Sequence, residues 1–393
     1  MGAPDGSPAN GVGRMLELVR AHLDMDVAFV SEFVGDDWVL RYISPEGTGV
    51  GPGHRHPLED TYCKRITDGR VECVIPDAAA NPELAALSIT EALSIGAYVG
   101  VPILLSDGTL YGSFCSFRRA PDHTLTPRDG RFLALIASLL SERLEADRAA
   151  QGRQAVERAR VEAVLLDPGS PRVLFQPIVH LESAAVWALE ALSRFDAEPH
   201  RPPEEWFAEA HRVGLGVALE LKALATAVSH LPRLADATLT VNLGPDALCS
   251  AELDAVLDGV APERLVLEVT EHELMGDVGR TRAAVERLRK AGFRLAVDDI
   301  GAGYAGLAKI VNLAPEIIKL DRALVARIDG DPTRQALVRA GVGFAEALGA
   351  ALVAEGIETE GELRTLTALG ITLGQGFHVG RPEPAEHWAR PVT

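Results

Sequence analysis

The chain has 393 residues, of which 47% are apolar and 24% charged, a composition typical of a globular protein with room for two domains. Its formal net charge of −18 opposes binding to nucleic acid polymers and anionic membranes, so a phosphorylated substrate would need local cations to enter a site. No apolar run reaches the roughly 20 residues that span a bilayer. The first residues also lack the basic and apolar segments of a secretory signal. We therefore expect a cytoplasmic protein without a nucleic acid or membrane partner.

Neither the four cysteines of the chain nor the paired histidines of its first half indicate metal or disulfide chemistry. Cys63, Cys73, Cys115 and Cys249 form no CxxC pair and no dense framework, which is typical of reduced thiols in a cytosolic protein. The two histidines of GPGHRHP stand at alternate positions that could hold a metal on a strand, but we expect a solvated loop there.

The first 147 residues show alternating helix and strand patterns. Residues 1–13 are rich in Gly, Pro and Ser, which predicts disorder. An amphipathic helix follows, with Leu16, Val19 and Leu23 on one face. Two strands around a GDD turn, a helix in TYCKRITDG and the strand RVECVIPD come next, followed by a hairpin of two strands around an SDG turn. A closing helix begins at TPRD, where a capping residue precedes a proline.

Three stretches of this region carry a family resemblance: PLEDTYCKRITDGR, AYVGVPILLSDGTLYGSFC and RDGRFLALIASLL. With them, residues 14–147 resemble a GAF domain, an α+β module that has a central antiparallel sheet and senses a small molecule or a partner. The resemblance implies a regulatory signal without naming it. Cys63 lacks the neighbouring His of the bilin-binding relatives, so we expect a buried thiol there.

A helical linker is predicted at 148–166, continuing the closing helix. Leu133, Ile136, Leu140 and Leu144 lie on one face of that helix. The pattern fits either a parallel dimer stalk that transmits a signal or an ordinary solvated linker helix. The break DPGSP then marks the start of a second domain at 167–393.

The second domain contains eight short apolar stretches separated by helix-length intervals, which predicts a (β/α)8 barrel of the TIM type. Seven of the stretches end in polar residues, and functional groups of such barrels lie at the C-terminal ends of the strands. Because the set is mostly carboxylate, it would repel itself unless divalent cations were bound, which indicates metal-assisted chemistry on a phosphate ester. The polar residues are Glu190, Asn242, Glu268, Asp298, Asp299, Lys319, Glu355 and Gln375.

Eight motifs in this order carry a second resemblance: FQPIV, EALSR, VNLGP, LEVTE, DDIGAGYAGL, IIKLD, AEGIET and QGFHVGRP. The letters E-A-L alone carry no weight, because they occur three times; only the copy at Glu190 continues into Ser193-Arg194. Together, the motifs resemble the EAL family of cyclic-di-GMP phosphodiesterases over about residues 171–384.

The resemblance implies two Mg²⁺ or Mn²⁺ ions per barrel, and ligands that are all oxygen atoms suit these metals. Asp298 would bridge the two ions, and Glu355 would be either the general base or a direct metal ligand. Lys319 would orient the water or stabilise charge. The implied catalytic residues are Glu190, Lys319 and Glu355. The implied metal ligands are Glu190, Asn242, Glu268, Asp298, Asp299 and Glu355. The implied substrate-binding residues are Gln176, Arg194 and Gln375. The implied supporting residues are Glu271, Asp321 and Glu358, of which Asp321 could equally be a helix cap.

The leading hypothesis is a cytoplasmic homodimer that hydrolyses cyclic-di-GMP to linear pGpG under control of the first domain. The DDIGAGYAGL loop differs from the family pattern at Ile300, Ala302 and Ala305-Gly306 without losing a metal ligand, which leaves regulation and turnover rate open. One alternative is a non-catalytic cyclic-di-GMP receptor that signals through a protein partner, although its usual mark, loss of metal ligands, is not present. Another is a barrel that serves only as a dimerisation platform for the first domain.

Overall fold

The computed structural model describes residues 11–45, 50–270, 278–300, 311 and 313–389. The chain forms two compact units, Met1–Arg153 and Gln154–Thr393. A long helix, Pro127–Leu166, contributes residues to both.

The first unit is built on a six-stranded antiparallel sheet with the strand order β3-β2-β1-β6-β5-β4. The α+β fold expected from the sequence is confirmed. Its strands are β1 (Val27–Val34), β2 (Asp37–Ser44), β3 (Arg55–Pro57), β4 (Val74–Ile75), β5 (Ala97–Leu104) and β6 (Leu110–Arg118). Its helices are Gly11–His22, Tyr62–Thr67, Pro82–Ala85, Ser88–Leu93 and the first part of Pro127–Leu166.

Each face of this sheet packs against its own core. Alternate residues of a strand point to opposite faces, so neighbouring residues join different cores. In β1, Ala28 and Val30 join a core with the first and the long helix, whereas Val27 and Phe29 join a second core around the Tyr62–Thr67 helix.

Two segments of the first unit differ from the sequence expectations. The first helix begins at Gly11 because Val12 is fully buried, so residues 11–13 of the predicted disordered segment are helical. His56 lies in β3 opposite Trp38 of β2, where a loop was expected. Its Nε2 lies 3.2 Å from Asp60 Oδ2.

The second unit is a closed eight-stranded barrel in which the strands follow one another in sequence order and β14 pairs with β7. The barrel prediction is confirmed. Its strands are β7 (Arg172–His180), β8 (Val186–Arg194), β9 (Thr238–Asn242), β10 (Leu265–Thr270), β11 (Arg294–Ile300), β12 (Ile317–Leu320), β13 (Ala351–Ala354) and β14 (Leu373–Gly374). Its helices are Pro203–Arg212, Gly216–Ser229, Pro245–Leu248, Glu252–Leu257, Val278–Lys290, Arg322–Val325, Pro332–Leu348 and Glu360–Ala368.

The first barrel strand departs from a regular (β/α)8 pattern. β7 runs antiparallel to both of its neighbours, β8 and β14, while the other strand pairs are parallel. Only residues 181–185 connect β7 to β8, and a parallel neighbour would require a crossover of a dozen or more residues. The pair therefore forms a hairpin. Within the described part of the chain, no helix is both long and apolar enough to cross a membrane.

Candidate metal centre at the barrel mouth

Strand periodicity places the polar residues of the barrel on its inner side. Apolar residues of seven strands meet in a small cluster inside the barrel, and in six of these strands the residue two positions later is one of the predicted site residues. Since side chains two apart on a strand share a face, each polar side chain continues the inward-facing row at its C-terminal end. The pairs are Ala188 and Glu190, Val266 and Glu268, Ala296 and Asp298, Ile317 and Lys319, Val353 and Glu355, and Leu373 and Gln375.

The ammonium group of Lys319 lies among four carboxylates. Its Nζ is 2.6 Å from Glu355 Oε1, 2.9 Å from Glu268 Oε2, 3.4 Å from Asp298 Oδ2 and 3.5 Å from Glu190 Oε2. Lys319 is fully buried, so these attractions act with little screening by water. The structure thus brings together strand ends that are far apart in the sequence.

Two amides orient the Glu190 carboxylate. Asn242 Nδ2 donates to Glu190 Oε1 at 2.9 Å, and Gln375 Nε2 donates to Glu190 Oε2 at 2.6 Å. These bonds fix both oxygen atoms of Glu190. Gln375, predicted to bind substrate, therefore also positions a carboxylate.

Asp298 connects two groups of carboxylates. Oxygen atoms of Glu190, Glu268 and Asp298 lie within 4.8 Å of one another, and so do oxygen atoms of Asp298, Asp299 and Glu355. Asp299 adopts a left-handed backbone conformation with φ 59°, which Asp tolerates better than most residues, and its N–H donates to Asp298 Oδ1 at 2.8 Å. The ladder between β11 and β12 shifts register between Val297 and Ile300, the segment that contains both aspartates.

Burial and mutual repulsion perturb the acidity of these groups. Burial, together with Glu190 and Asp298, raises the pKa of Glu268 to about 8 against the opposing effect of Lys319. The same causes raise the pKa of Glu355 to about 8, and burial with Asp298 and Asp321 raises that of Asp299 to about 6. Burial alone would lower the pKa of Lys319, but the surrounding carboxylates raise it well above its usual value.

The residues present fit a divalent cation. Glu268 Oε1 and Gln375 Oε1 are buried and have no hydrogen-bond partner among the described residues. A buried carboxylate oxygen without a partner is costly unless a cation or donor contacts it. The two groups together contain five carboxylates and only one ammonium group, so the cluster carries excess negative charge when ionised. Carboxylate and amide oxygens are the ligands that hard divalent cations prefer.

Two clefts open beside the cluster. One, of about 250 Å³, is lined by Gln176, Glu190, Glu355 and Gln375 and by Phe377 at its outer edge. Gln176 Nε2 also donates to Gly380 O at 3.0 Å.

The other cleft, of about 420 Å³, is lined by Arg194, Phe207, Asn242 and Glu268, among others. Arg194 Nη1 donates to Ser193 O at 2.8 Å. Arg194 thus lines the cleft and, among the described residues, forms no ion pair with the carboxylates around Lys319.

Two of the predicted supporting residues, Asp321 and Glu358, lie outside the cluster. Asp321 accepts from Ala323 N and caps the Arg322–Val325 helix, the alternative considered for it, and its carboxylate also raises the pKa of Asp299. Glu358 pairs with Arg322 at 2.6 Å. Glu271 and the part of the DDIGAGYAGL loop after Ile300 lie outside the described residues.

One residue near the site was not found from the sequence. Glu220 is buried in the Gly216–Ser229 helix; its Oε2 accepts from Gly244 N at 2.7 Å and its Oε1 lies 2.5 Å from His211 Nε2. It thereby braces the turn that follows Asn242. The only sequence signal is a carboxylate within the apolar run VALELKALA.

Comparison with known proteins adds family and fold. A family model described as EAL domain matches residues 159–382, and one described as GAF domain matches residues 12–144. The bifunctional diguanylate cyclase/cyclic di-GMP phosphodiesterase MucR of Pseudomonas aeruginosa is 32% identical over 255 residues, covering 61% of this chain and 36% of MucR. The cyclic di-GMP phosphodiesterase RocR of the same species is 30% identical over 236 residues, covering 57% of this chain and 60% of RocR. The chain thus spans less than two thirds of either relative.

A solved structure supports the barrel assignment. The PaMucR phosphodiesterase, determined as a c-di-GMP complex, is 30% identical with a TM-score of 0.51, and the match covers 61% of this chain and 98% of that one. The EAL model accounts for more than half of the residues, and a GAF domain precedes it. The chain therefore belongs to the EAL domain family.

Proposed function

We propose that this protein is a cyclic-di-GMP phosphodiesterase that hydrolyses the cyclic dinucleotide to linear pGpG with two divalent cations, Mg²⁺ or Mn²⁺. The observation that carries the proposal is the group of carboxylates around Lys319, in which Glu268 keeps a buried oxygen without a partner among the described residues. The names of MucR and RocR and the ligand in the PaMucR structure support the choice of substrate.

The two carboxylate groups suggest how the ions would be held. Glu190, Asn242, Glu268 and Asp298 would hold one, and Asp298, Asp299 and Glu355 would hold the other. Five carboxylates and one ammonium leave four excess negative charges when ionised, equal to the charge of two divalent cations. Divalent cations there would lower the pKa of an attacking water and neutralise charge on the phosphoryl oxygens.

The remaining steps fall to side chains of the chain itself. Glu355 lines the cleft with only 17% of its side chain exposed, and its pKa is raised to about 8, which suits a group that accepts a proton from water. Lys319 holds the carboxylates together and stabilises negative charge that develops beside them. Arg194 would leave its bond to Ser193 O to contact a phosphate, for which its planar group is suited.

The two clefts suit a substrate made of two nucleotides. Glu190 lines one cleft and Asn242 lines the other, and these two residues are hydrogen-bonded to each other. A cyclic dinucleotide centred on them would place one half in each cleft, with Gln176 and Gln375 on one side and Arg194 on the other.

We further propose that a GAF sensor at 14–147 controls the barrel at 167–393 through the helical linker at 148–166, in a cytoplasmic homodimer. The GAF family match and the continuous Pro127–Leu166 helix support this arrangement. A titration of oligomeric state against protein concentration tests the dimer. The activity of a fragment that begins at Arg160, compared with that of the full chain, tests the control by the first domain.

The decisive experiment is incubation of the full chain with cyclic-di-GMP and Mg²⁺, followed by separation of the nucleotides. We expect pGpG with Mg²⁺ and little product with Ca²⁺, whose looser coordination positions water poorly. Glu190→Ala and Glu355→Ala should each lower turnover by about 10²–10⁴-fold, whereas Glu182→Ala, in the exposed β7–β8 turn, should leave it unchanged. Binding without turnover would instead support the receptor alternative, and full activity of either site variant would refute the proposed roles.

A further inference from the structure

Two thiols of the first unit face each other inside the protein. Cys63 lies on the Tyr62–Thr67 helix and Cys115 on β6, and their Sγ atoms are 3.6 Å apart. Both residues are buried, with 3% and 0% of their surface exposed. They are 52 positions apart in the sequence, so only the fold brings them together.

Cys63 also lines a largely enclosed cavity of about 140 Å³. Most of the lining is apolar, and includes Phe29, Leu40 and Ile43. Because one water occupies about 30 Å³ of liquid, the space admits a few small molecules but excludes a peptide-sized oxidant.

Polar groups lie around the Cys63 sulfur. Tyr98 Oη lies 3.4 Å from it. The neighbouring Cys115 thiol donates to Ser113 Oγ at 3.2 Å. The indole N–H of Trp38, another cavity residue, is buried and makes no hydrogen bond of standard geometry within the described residues. That N–H remains available to the sulfur or to a guest molecule.

These polar groups favour the thiolate form of Cys63. Burial opposes ionisation, but the nearby polar groups of Cys115, Ser113, Tyr98 and Trp38 outweigh it and lower the pKa of Cys63 to about 6. The half-buried Cys73 provides the contrast, because burial and Glu72 raise its pKa. Thiolate character and access to a small oxidant are the two features that distinguish reactive from inert cysteines.

We propose that Cys63 and Cys115 form a dithiol site that reduces hydrogen peroxide, or another small hydroperoxide that fits the cavity, and becomes a disulfide. The two sulfurs supply both the attacking group and the resolving group. Neither the proposed hydrolysis at the barrel nor its metal centre is required for this reaction.

The chemistry balances in two steps. The Cys63 thiolate attacks one peroxide oxygen and breaks the O–O bond, which forms a sulfenic acid and releases hydroxide. The Cys115 thiol then attacks the Cys63 sulfur, which forms the S–S bond and releases the sulfenic oxygen as water. Overall, two thiols are oxidised, one peroxide is reduced, and two waters form once the hydroxide takes up the proton that Cys63 had lost.

The geometry requires only a small movement. A disulfide needs a sulfur separation of about 2.05 Å, so the atoms must approach by about 1.5 Å from their present 3.6 Å. Gly100 lies beside the pair: a Cβ at this position would be 3.2 Å from Cys115 Sγ. Because glycine has no Cβ, the Cys115 side chain has space to change rotamer. The bond would tie the Tyr62–Thr67 helix to β6.

A variant of the full chain isolates the pair. Trypsin leaves Cys73 and Cys115 in one peptide, so Cys73 must be replaced before a disulfide can be mapped. Cys73→Ser with Cys249→Ser gives a parent protein in which Cys63 and Cys115 are the only thiols. With one equivalent of hydrogen peroxide, we expect this parent to lose both titratable thiols and the mass of two hydrogen atoms, and dithiothreitol to restore both. Peptide mapping should show one Cys63–Cys115 disulfide, and adding Cys115→Ser should leave a sulfenic acid on Cys63 that dimedone traps.

The matched control is Cys63→Ser with Cys115→Ser, which keeps Cys73 and Cys249. We expect its thiols to react several-fold more slowly under the same conditions. Equal rates in the two proteins would overturn the proposal, as would a disulfide that forms only in denaturant. Oxidation of wild-type Cys63 beyond the sulfenic acid without a disulfide would overturn the role of Cys115. Mapping of the wild-type chain with a second protease gives the same readout without substitutions.

Discussion

Lys319→Met tests the electrostatics of the barrel mouth most directly, because it removes a fully buried ammonium while nearly keeping the side-chain volume. Four carboxylates within 3.5 Å of Nζ lose their counter-charge. Breaking a buried ion pair from one side costs about 3–5 kcal/mol. Since 1 kcal/mol shifts Tm by about 2–4 °C in a domain of this size, we expect the metal-free barrel unit to melt about 6–20 °C lower at pH 8.

The loss should depend on pH with a definite sign. The folded-state pKa values of Glu268 and Glu355 are raised to about 8, so between the ordinary carboxylate range and pH 8 the folded state binds more protons than the unfolded state. Metal-free stability therefore falls as pH rises through that window. Without the Lys319 ammonium these pKa values rise further, which makes the fall steeper. Thermal melts in chelator at pH 5.5 and pH 8 measure the difference.

Lys290→Met is the matched control, because Lys290 is exposed at the end of the Val278–Lys290 helix. This variant should melt at the same temperature as the wild type. Added Mg²⁺ should recover more stability in Lys319→Met than in the wild type at pH 8, since a cation relieves the same repulsion. A Lys319→Met melt within about 2 °C of the wild type at both pH values would refute the electrostatic reasoning.

Three further outcomes are expected. Glu355→Gln removes one carboxylate of raised pKa, so its metal-free Tm should fall less than the wild-type Tm between pH 5.5 and pH 8; parallel melts would contradict this. Mg²⁺ binding at pH 7 should release protons from the Glu268 and Glu355 carboxyls, seen as a buffer-dependent calorimetric heat; a buffer-independent heat would refute it. Gly244→Ala puts a Cβ 3.0 Å from the Glu220 carboxylate and should lower turnover about tenfold by displacing the turn after Asn242. Gly343→Ala, where an added Cβ meets open space, should leave turnover unchanged. Equal turnover in the two variants would show that Glu220 does not support the turn after Asn242.

The rim of polar residues was predictable from the sequence because strand geometry converts local spacing into position. A polar residue two places after an inward apolar residue continues the same row, as Lys319 does after Ile317 and Glu355 after Val353. Parallel strands then bring these row ends to one rim. The prediction therefore needed the period of each strand but no knowledge of the distances between them.

Strand direction and side-chain partners were beyond that reasoning. The apolar run of β7 looks the same in either direction, and only the five-residue connection to β8 excludes a parallel arrangement. The bonds from Asn242 and Gln375 to Glu190, and from Glu220 to Gly244, join residues 24 to 185 positions apart. The 52-residue separation of Cys63 and Cys115 hides their proximity for the same reason.

The reversed direction of β7 has a mechanical consequence. Its first residue, Arg172, pairs with Arg194 at the far end of β8, whereas a parallel first strand would have entered the barrel from the opposite end. The incoming helix stops at Leu166, where Lys222 Nζ donates to Val164 O at 2.9 Å and Leu165 O at 2.8 Å. The chain thus enters the barrel at the end that carries the polar rim, and only residues 167–171 separate the last helical turn from the strand that holds Gln176 opposite Glu190.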